Sequence, residues 1–342
     1  MKLLILALTL LMTISVFSQT QPLEPGVSQT LARWRGANYL DVRYKLNITL
    51  EKGAPLMKGD IEIRVNISEA GAKNDLILDW RTTAFQNDKD KPYANVVAVN
   101  DAPDILTQTA NEHIRIPHPL LKKGENFIKI QFASPIKTSG AAITRYVDKE
   151  DGAEYIYSLF VPSDASTAFP VFDQPDLKAR FSLFARVPRG WEIVSNTDPK
   201  CAIKDPMASY RICLFPETQP ISTYVFAFAA GDFVEFEDEI EKRRLATDDY
   251  PDDPDQKIKP YGQIVPKIYV RKSQTEKFKQ HAAETFRLNR ESVKYLETYF
   301  DFKFPFPKYD LVLIPEFPFG GMEHAGATFL RESSIIFRTF LA

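Results

Sequence analysis

Residues 40–50, LDVRYKLNITL, place Val42, Tyr44, Leu46, Ile48 and Leu50 at alternate positions, with Asp41, Arg43, Lys45, Asn47 and Thr49 between them. Successive side chains of a β-strand point to opposite faces, so apolar residues at a period of two predict a strand with one buried face. Residues 60–67, DIEIRVNI, repeat the pattern with Ile61, Ile63, Val65 and Ile67. The pair predicts half-buried antiparallel strands. Shorter runs at 76–80, 96–99, 113–116 and 127–132 extend the reading. Between them Asn74-Asp75, Asn100-Asp101 and Lys123-Gly124-Glu125 supply turns. Residues 145–160 form a further strand pair around Lys149-Glu150-Asp151-Gly152. Residues 19–29 read as a polar lead-in, and no helical period is expected before about Ala230.

The chain of 342 residues has room for two domains at ~100–200 residues each. Its 44% hydrophobic and 26% charged residues are those of a soluble globular protein. A formal charge of −2 gives no electrostatic case for nucleic acid or an anionic membrane as partner. Lys2 followed by the apolar run 3–16 and Val16-Phe17-Ser18 reads as a secretory signal peptide cut after Ser18. The run is short of the ~20 residues of a membrane span. The expectation is export to a periplasmic or extracellular space, with no stable span in the mature chain; a retained signal anchor is the alternative. Cys201 and Cys213 flank a turn-like segment, so they are either a disulfide across a hairpin or two buried thiols.

Residues 235–259 carry a dense run of charge with two prolines and read as a solvated linker or surface loop. An acidic cation site at 248–255 lacks any ligand spacing. A strand is expected at 267–271, then a capping box at Ser273-Gln274-Thr275-Glu276. Phe278, Ala282, Val293, Leu296 and Phe300 predict one helix over 275–300, ended by the Pro305 and Pro307 region. A short strand at 309–314 leads to residues 317–329, FPFGGMEHAGATF, with β-prone runs at 327–330 and 335–337. Gly320 and Gly321 allow another backbone to approach closely. A sheet edge beside such a turn can hold an extended peptide by main-chain hydrogen bonds. Glu323 at its head would then meet the peptide's α-ammonium.

Gly320-Gly321-Met322-Glu323-His324 resembles the G-x-M-E-N motif of the zinc aminopeptidases related to aminopeptidase N, the gluzincin aminopeptidases. Residues 168–181, AFPVFDQPDLKARF, are similar to that family's A-F-P-C-F-D-E-P…K-A-x-F signature. Val187 to Asn196 and Ile221 to Phe233 also match it. The resemblance implies a mainly β, then α+β architecture. After a signal peptide at 1–18 comes an antiparallel, sandwich-like β-saddle domain over 19–235. The start of a thermolysin-like catalytic domain follows over 236–342. It also implies removal of N-terminal residues from peptides, with Glu323 binding the substrate amine and Gly320, Gly321 and Met322 lining the first subsites. His324 stands where the family has Asn. A family Glu or Gln upstream of A-F-P corresponds to Val161, which cannot bind an ammonium. Either Asp164 substitutes or recognition rests on Glu323 alone.

The intact family enzyme uses zinc, held by H-E-x-x-H on a helix and a downstream Glu, with the motif Glu as general base. Only His113, His118, His281 and His324 occur here, none in that motif. The chain therefore reads as an N-terminal portion truncated before the zinc motif. It is expected to contain no catalytic or metal-binding residue, to hold no zinc alone and to be inactive alone. Peptide N-termini are the expected ligands, with a complementary C-terminal chain as a further partner. The alternative is a non-catalytic peptide-binding or interaction module. Residues 19 to about 235 are expected to close a core by themselves. The strands around 309–314 and 327–337 are expected to present uncovered apolar faces.

Overall fold

The alternating run forms the strand Tyr39–Thr49, with Val42, Tyr44, Leu46 and Ile48 all at most 2% exposed. Its first turn departs from strict alternation. Tyr39 and Val42 both point inward, Leu40 is 67% exposed, and Asp41 takes a left-handed φ of 48°. This is a β-bulge, where the register against Leu56–Ile67 shifts between Leu40 and Arg43. The structure, a computed structural model, describes residues 23–202, 207–247 and 262–336. The signal-like segment, the acidic stretch 248–255 and Phe337 lie outside the described residues.

Tyr39–Thr49 is central in an eight-stranded sheet. On one side it pairs antiparallel with Leu56–Ile67, followed by Gly124–Pro135 and Tyr93–Val99. On the other it pairs in parallel with Ala179–Pro188, Val42 opposite Ala179. That parallel pair departs from the antiparallel expectation, because alternation reports which face is buried and not strand direction. A four-stranded sheet of Glu192–Ser195, Phe228–Gly231, Glu154–Ser158 and Ile143–Val147 packs on the first. Leu46, Ile61 and Ile130 from one sheet and Ile156, Ile193 and Phe228 from the other share one core. The architecture is thus mainly β and sandwich-like. Cys201 and Cys213 face each other across the hairpin of Lys200–Ala202 and Tyr210–Phe215 and form a disulfide.

A helix at Gln29–Asn38 occupies sequence expected to be without helical period. The Ser28 hydroxyl caps it, accepting from the Leu31 amide at 3.2 Å. Polar contact anchors it: the fully buried Arg35 guanidinium donates to both Asp79 oxygens at 2.8 and 2.7 Å and to the Ile77 carbonyl at 2.9 Å. A helix held by a buried arginine has no apolar stripe to read.

A five-stranded sheet follows in the order Phe233–Glu237, Lys267–Arg271, Asp310–Ile314, Ala327–Arg331 and Gly321–Met322. Lys267–Arg271, Asp310–Ile314 and Ala327–Arg331 are parallel. The helix Ala282–Phe300 lies in the crossover between the first two, as a parallel connection requires. The two faces of this sheet bury in different directions. Ile268, Val270, Leu311 and Leu313 meet Phe278 and Phe286 of the helical layer. Tyr269, Val312, Ile314, Phe317, Met322 and Phe329 meet Tyr155, Tyr157, Val194 and Ala229 of the saddle. The expectation of uncovered strands is therefore corrected: every residue of Asp310–Ile314 is buried, because the saddle itself supplies the second cover. Exposed large apolar side chains remain on the crossover helix and just past it, among them Tyr295, Tyr299, Phe300 and Phe302, and also at Ile240 and Phe319.

Three further expectations change. The charge run from 235 opens with the strand Phe233–Glu237 and the helix Glu239–Thr247, so within the described residues it is not a loop. Residues 275–300 are two helices, Thr275–Lys279 and Ala282–Phe300, because Gln280 and His281 close short turns onto Lys277 and Phe278. The second ends at Asp301, in the left-handed region at φ 48°, ahead of Pro305. No capping box forms. The Ser273 hydroxyl donates to Asp148 at 2.6 Å and that of Thr275 to the Lys272 carbonyl at 2.8 Å. Ser273 belongs instead to a buried network joining sheet and saddle, in which Arg271 pairs with both Asp148 and Glu332.

Candidate peptide-amine site

Gly321–Met322 is the outer strand of the five-stranded sheet, with Gly321 opposite Leu330 and Met322 opposite Phe329. A Cβ on Gly321 would lie 2.8 Å from the end of the Leu330 side chain, which would have to swing aside to admit it. A Cβ on Gly320 would meet nothing within 4 Å. Met322 is 6% exposed, its side chain packed with Phe317 and Phe329 between sheet and saddle. Any ligand at this edge therefore meets Met322 as backbone. Glu323 is exposed, and among the described residues no hydrogen bond or ion pair engages its carboxylate. A carboxylate presented beside an open strand edge can accept charge-assisted hydrogen bonds from a cation.

His324 turns the other way. It is 1% exposed, edge-on to Phe329 at 4.5 Å between ring centroids. Neither ring nitrogen finds a hydrogen-bond partner among the described residues. Burial alone pushes its pKa down to about 3, so the imidazole is neutral. The turn is closed by the His324 amide on the Met322 carbonyl at 3.0 Å and the Ala327 amide on the His324 carbonyl at 3.1 Å.

Two side chains that the motif reading did not single out hold this turn. Asn196, from the saddle, donates its side-chain amide to the carbonyls of Ala325 and Val225, both at 2.8 Å. It also accepts from the Ala227 amide at 2.9 Å. On the other flank, Arg331 donates to the carbonyls of Phe317, Pro318 and Phe319. Asn196 lay within a matched motif, but nothing in its spelling says what it touches; Arg331 carried no signal. Val161 packs on the cluster containing Met322 and Phe317, so that position brings an apolar side chain to this region. Asp164 is paired with Arg81 at 3.0 Å.

The four histidines stand apart. His113 lies between Asp79, 3.0 Å away, and the Glu24 carbonyl. Burial opposes its charge, but Asp79 and the Glu24 carbonyl outweigh that and its pKa is raised. His118 sits beside Asp75, and His281 precedes the helix Ala282–Phe300. Among the described residues no three His, Cys, Asp or Glu side chains gather so as to hold a metal ion.

Fold and site together define a β-sandwich joined to a mixed sheet whose glycine-containing edge strand leads to an exposed glutamate with no partner among the described residues. Residues 40–225 match the Peptidase M1 N-terminal domain, and residues 284–340 match the Peptidase family M1 domain. The chain belongs to peptidase family M1. It is 32% identical over 246 residues to Aminopeptidase N of Streptomyces lividans, covering 71% of this chain and 25% of that protein. It is 30% identical over 241 residues to Probable aminopeptidase 1 of Sulfurisphaera tokodaii, covering 69% and 26%. It is 28% identical over 182 residues to Leucyl aminopeptidase of Saccharolobus solfataricus, covering 53% and 20%. The chain thus spans about a quarter of the length of the relatives it matches.

Proposed function

We propose that this chain is the amine-reading portion of an aminopeptidase N-like enzyme. An extended peptide lies along Gly320, Gly321 and Met322, and Glu323 holds its α-ammonium. The observation that carries the reading is the exposed Glu323, without a partner among the described residues, directly after the edge strand Gly321–Met322. The family's zinc does not fit the described residues, which offer no ligand cluster, so no hydrolytic step is derived for them. What they can do alone is bind and orient a peptide N-terminus. With Val161 apolar and Asp164 on Arg81, the reading places recognition of the amine on Glu323.

The test is binding of a C-terminally fluorescein-labelled Leu-Gly-Gly peptide, with a free or an acetylated N-terminus. A hydrogen bond to a charged group contributes ~1.5–3 kcal/mol, so the free peptide should bind at least ~10-fold tighter and Glu323→Gln should erase the difference. Equal binding of the two peptides by the unmodified chain would sink the proposal.

We further propose export with a mature start near Gln19. The Cys201–Cys213 disulfide supports it, since such bonds persist in oxidising compartments. No described helix is long and apolar enough to cross a membrane. N-terminal sequencing of exported material should begin near Gln19; an intact Met1 would contradict cleavage.

A further inference from the structure

Four successive carbonyls, those of Phe317, Pro318, Phe319 and Gly320, accept hydrogen bonds from one residue, Arg331. Its Nε donates to Phe317 O at 2.9 Å and Phe319 O at 3.1 Å, and its Nη2 to Pro318 O at 2.8 Å. Its backbone amide donates to Gly320 O at 3.0 Å. In an extended strand successive carbonyls point alternately to opposite sides. Here three converge on one guanidinium, bringing the negative ends of three peptide dipoles together. Only a cation with several donors in a fixed fork makes that arrangement favourable. The bend begins at Glu316, a non-glycine residue at φ 51°, and ends where Gly321 resumes pairing with Leu330. The adjacent carboxylate, Glu332, is engaged by Arg271, and Arg331 makes no ion pair among the described residues.

We infer that Arg331 is a positioning residue for amine recognition: it gathers the 317–320 backbone and thereby sets where Glu323 stands relative to the open edge. The inference rests on the reading of Glu323 given above. Arg331 does not touch the peptide. It acts through the backbone that delivers Gly321 to the sheet edge. A lysine would bring one point charge and lose the fork.

The experiment uses the full chain and two readouts, so that failure of the Glu323 reading can be told from failure of the clamp. Hydrogen exchange over 315–323 measures the bend; the preference for free over acetylated Leu-Gly-Gly measures amine reading. Loss of charge-assisted hydrogen bonds in Arg331→Ala should raise exchange over 317–322 at least ~10-fold and lower the amine preference ~10-fold. Exchange in Tyr39–Thr49 should not change. Arg331→Lys, which keeps the charge and the folding of the strand, should fall between. Millimolar methylguanidinium should restore part of the preference to Arg331→Ala and none to Arg331→Lys. Unchanged exchange in both variants, or an amine preference within about 2-fold of the parent in both, overturns the inference. If the parent chain itself shows no preference, the Glu323 reading falls, and the exchange result alone decides whether Arg331 holds the bend.

Discussion

Two glycines at the ends of the 320–326 turn should respond differently to one added methyl group. Gly326 adopts φ +75°, and a Cβ there would lie 2.4 Å from the Asn196 carbonyl oxygen and 3.4 Å from that of Lys308. Both obstacles are backbone, so neither can swing aside. The left-handed conformation costs an L-residue roughly 1–2 kcal/mol, and forcing a methyl into a packed site typically adds about 1–3 kcal/mol. Gly326→Ala should therefore destabilise by about 2–5 kcal/mol, a large share of the ~5–15 kcal/mol of a typical domain. The shift would also push Asn196 off the Ala325 carbonyl, freeing the turn from the saddle. Gly320, a few residues away, has no positive φ and nothing within 4 Å of its absent Cβ. Gly320→Ala should stay within about 0.5 kcal/mol of the parent. Urea unfolding of both variants, followed by intrinsic fluorescence and far-UV circular dichroism, gives the comparison. Equal midpoints for the two variants would show that the turn does not depend on the Asn196 contact.

The pH dependence has a defined sign. His324 is neutral in the fold with its pKa pushed down to about 3 by burial, whereas in the unfolded chain it protonates near ~6.5. Below that unfolded value the unfolded state binds more protons, so stability falls as the pH drops from ~6.5 towards 3, by at most about 5 kcal/mol. His324→Asn should flatten that acid limb in urea midpoints measured from pH 7 to 4; an unchanged slope would assign the acid sensitivity elsewhere. Asp148 has an acid-side effect of its own. Burial opposes its charge, but Ser273, the Glu150 amide and Arg271 lower its pKa, so its contribution is present above ~3.9 and lost as pH falls through the lower folded value. That loss comes at more acid pH than most of the His324 limb and should persist in His324→Asn.

Much of the fold was legible because the burial pattern is local. Alternation in 40–50 and 60–67 named the inward face of two central strands, and the Gly-Gly pair marked the strand edge that bears Glu323. The same alternation was silent on direction, and the parallel pairing of Val42 with Ala179 comes from an alignment across most of the saddle. The helix Gln29–Asn38 escaped notice because Arg35 and Asp79 hold it, residues far apart in sequence whose pairing leaves no periodic trace. The cover of Asp310–Ile314 is not legible in the sequence for a related reason. An apolar run says that both faces are buried, but which surface buries them is set by docking of the saddle on the sheet. At the candidate site, the proposed role of Glu323 comes from its own side chain, which the sequence displays. The backbone on either side of that residue is held by Asn196 and Arg331, which reach it from the saddle and from the neighbouring strand. Hydrogen bonds to backbone carbonyls demand no particular residue in the segment that accepts them, so that segment's sequence carries no mark of its donors.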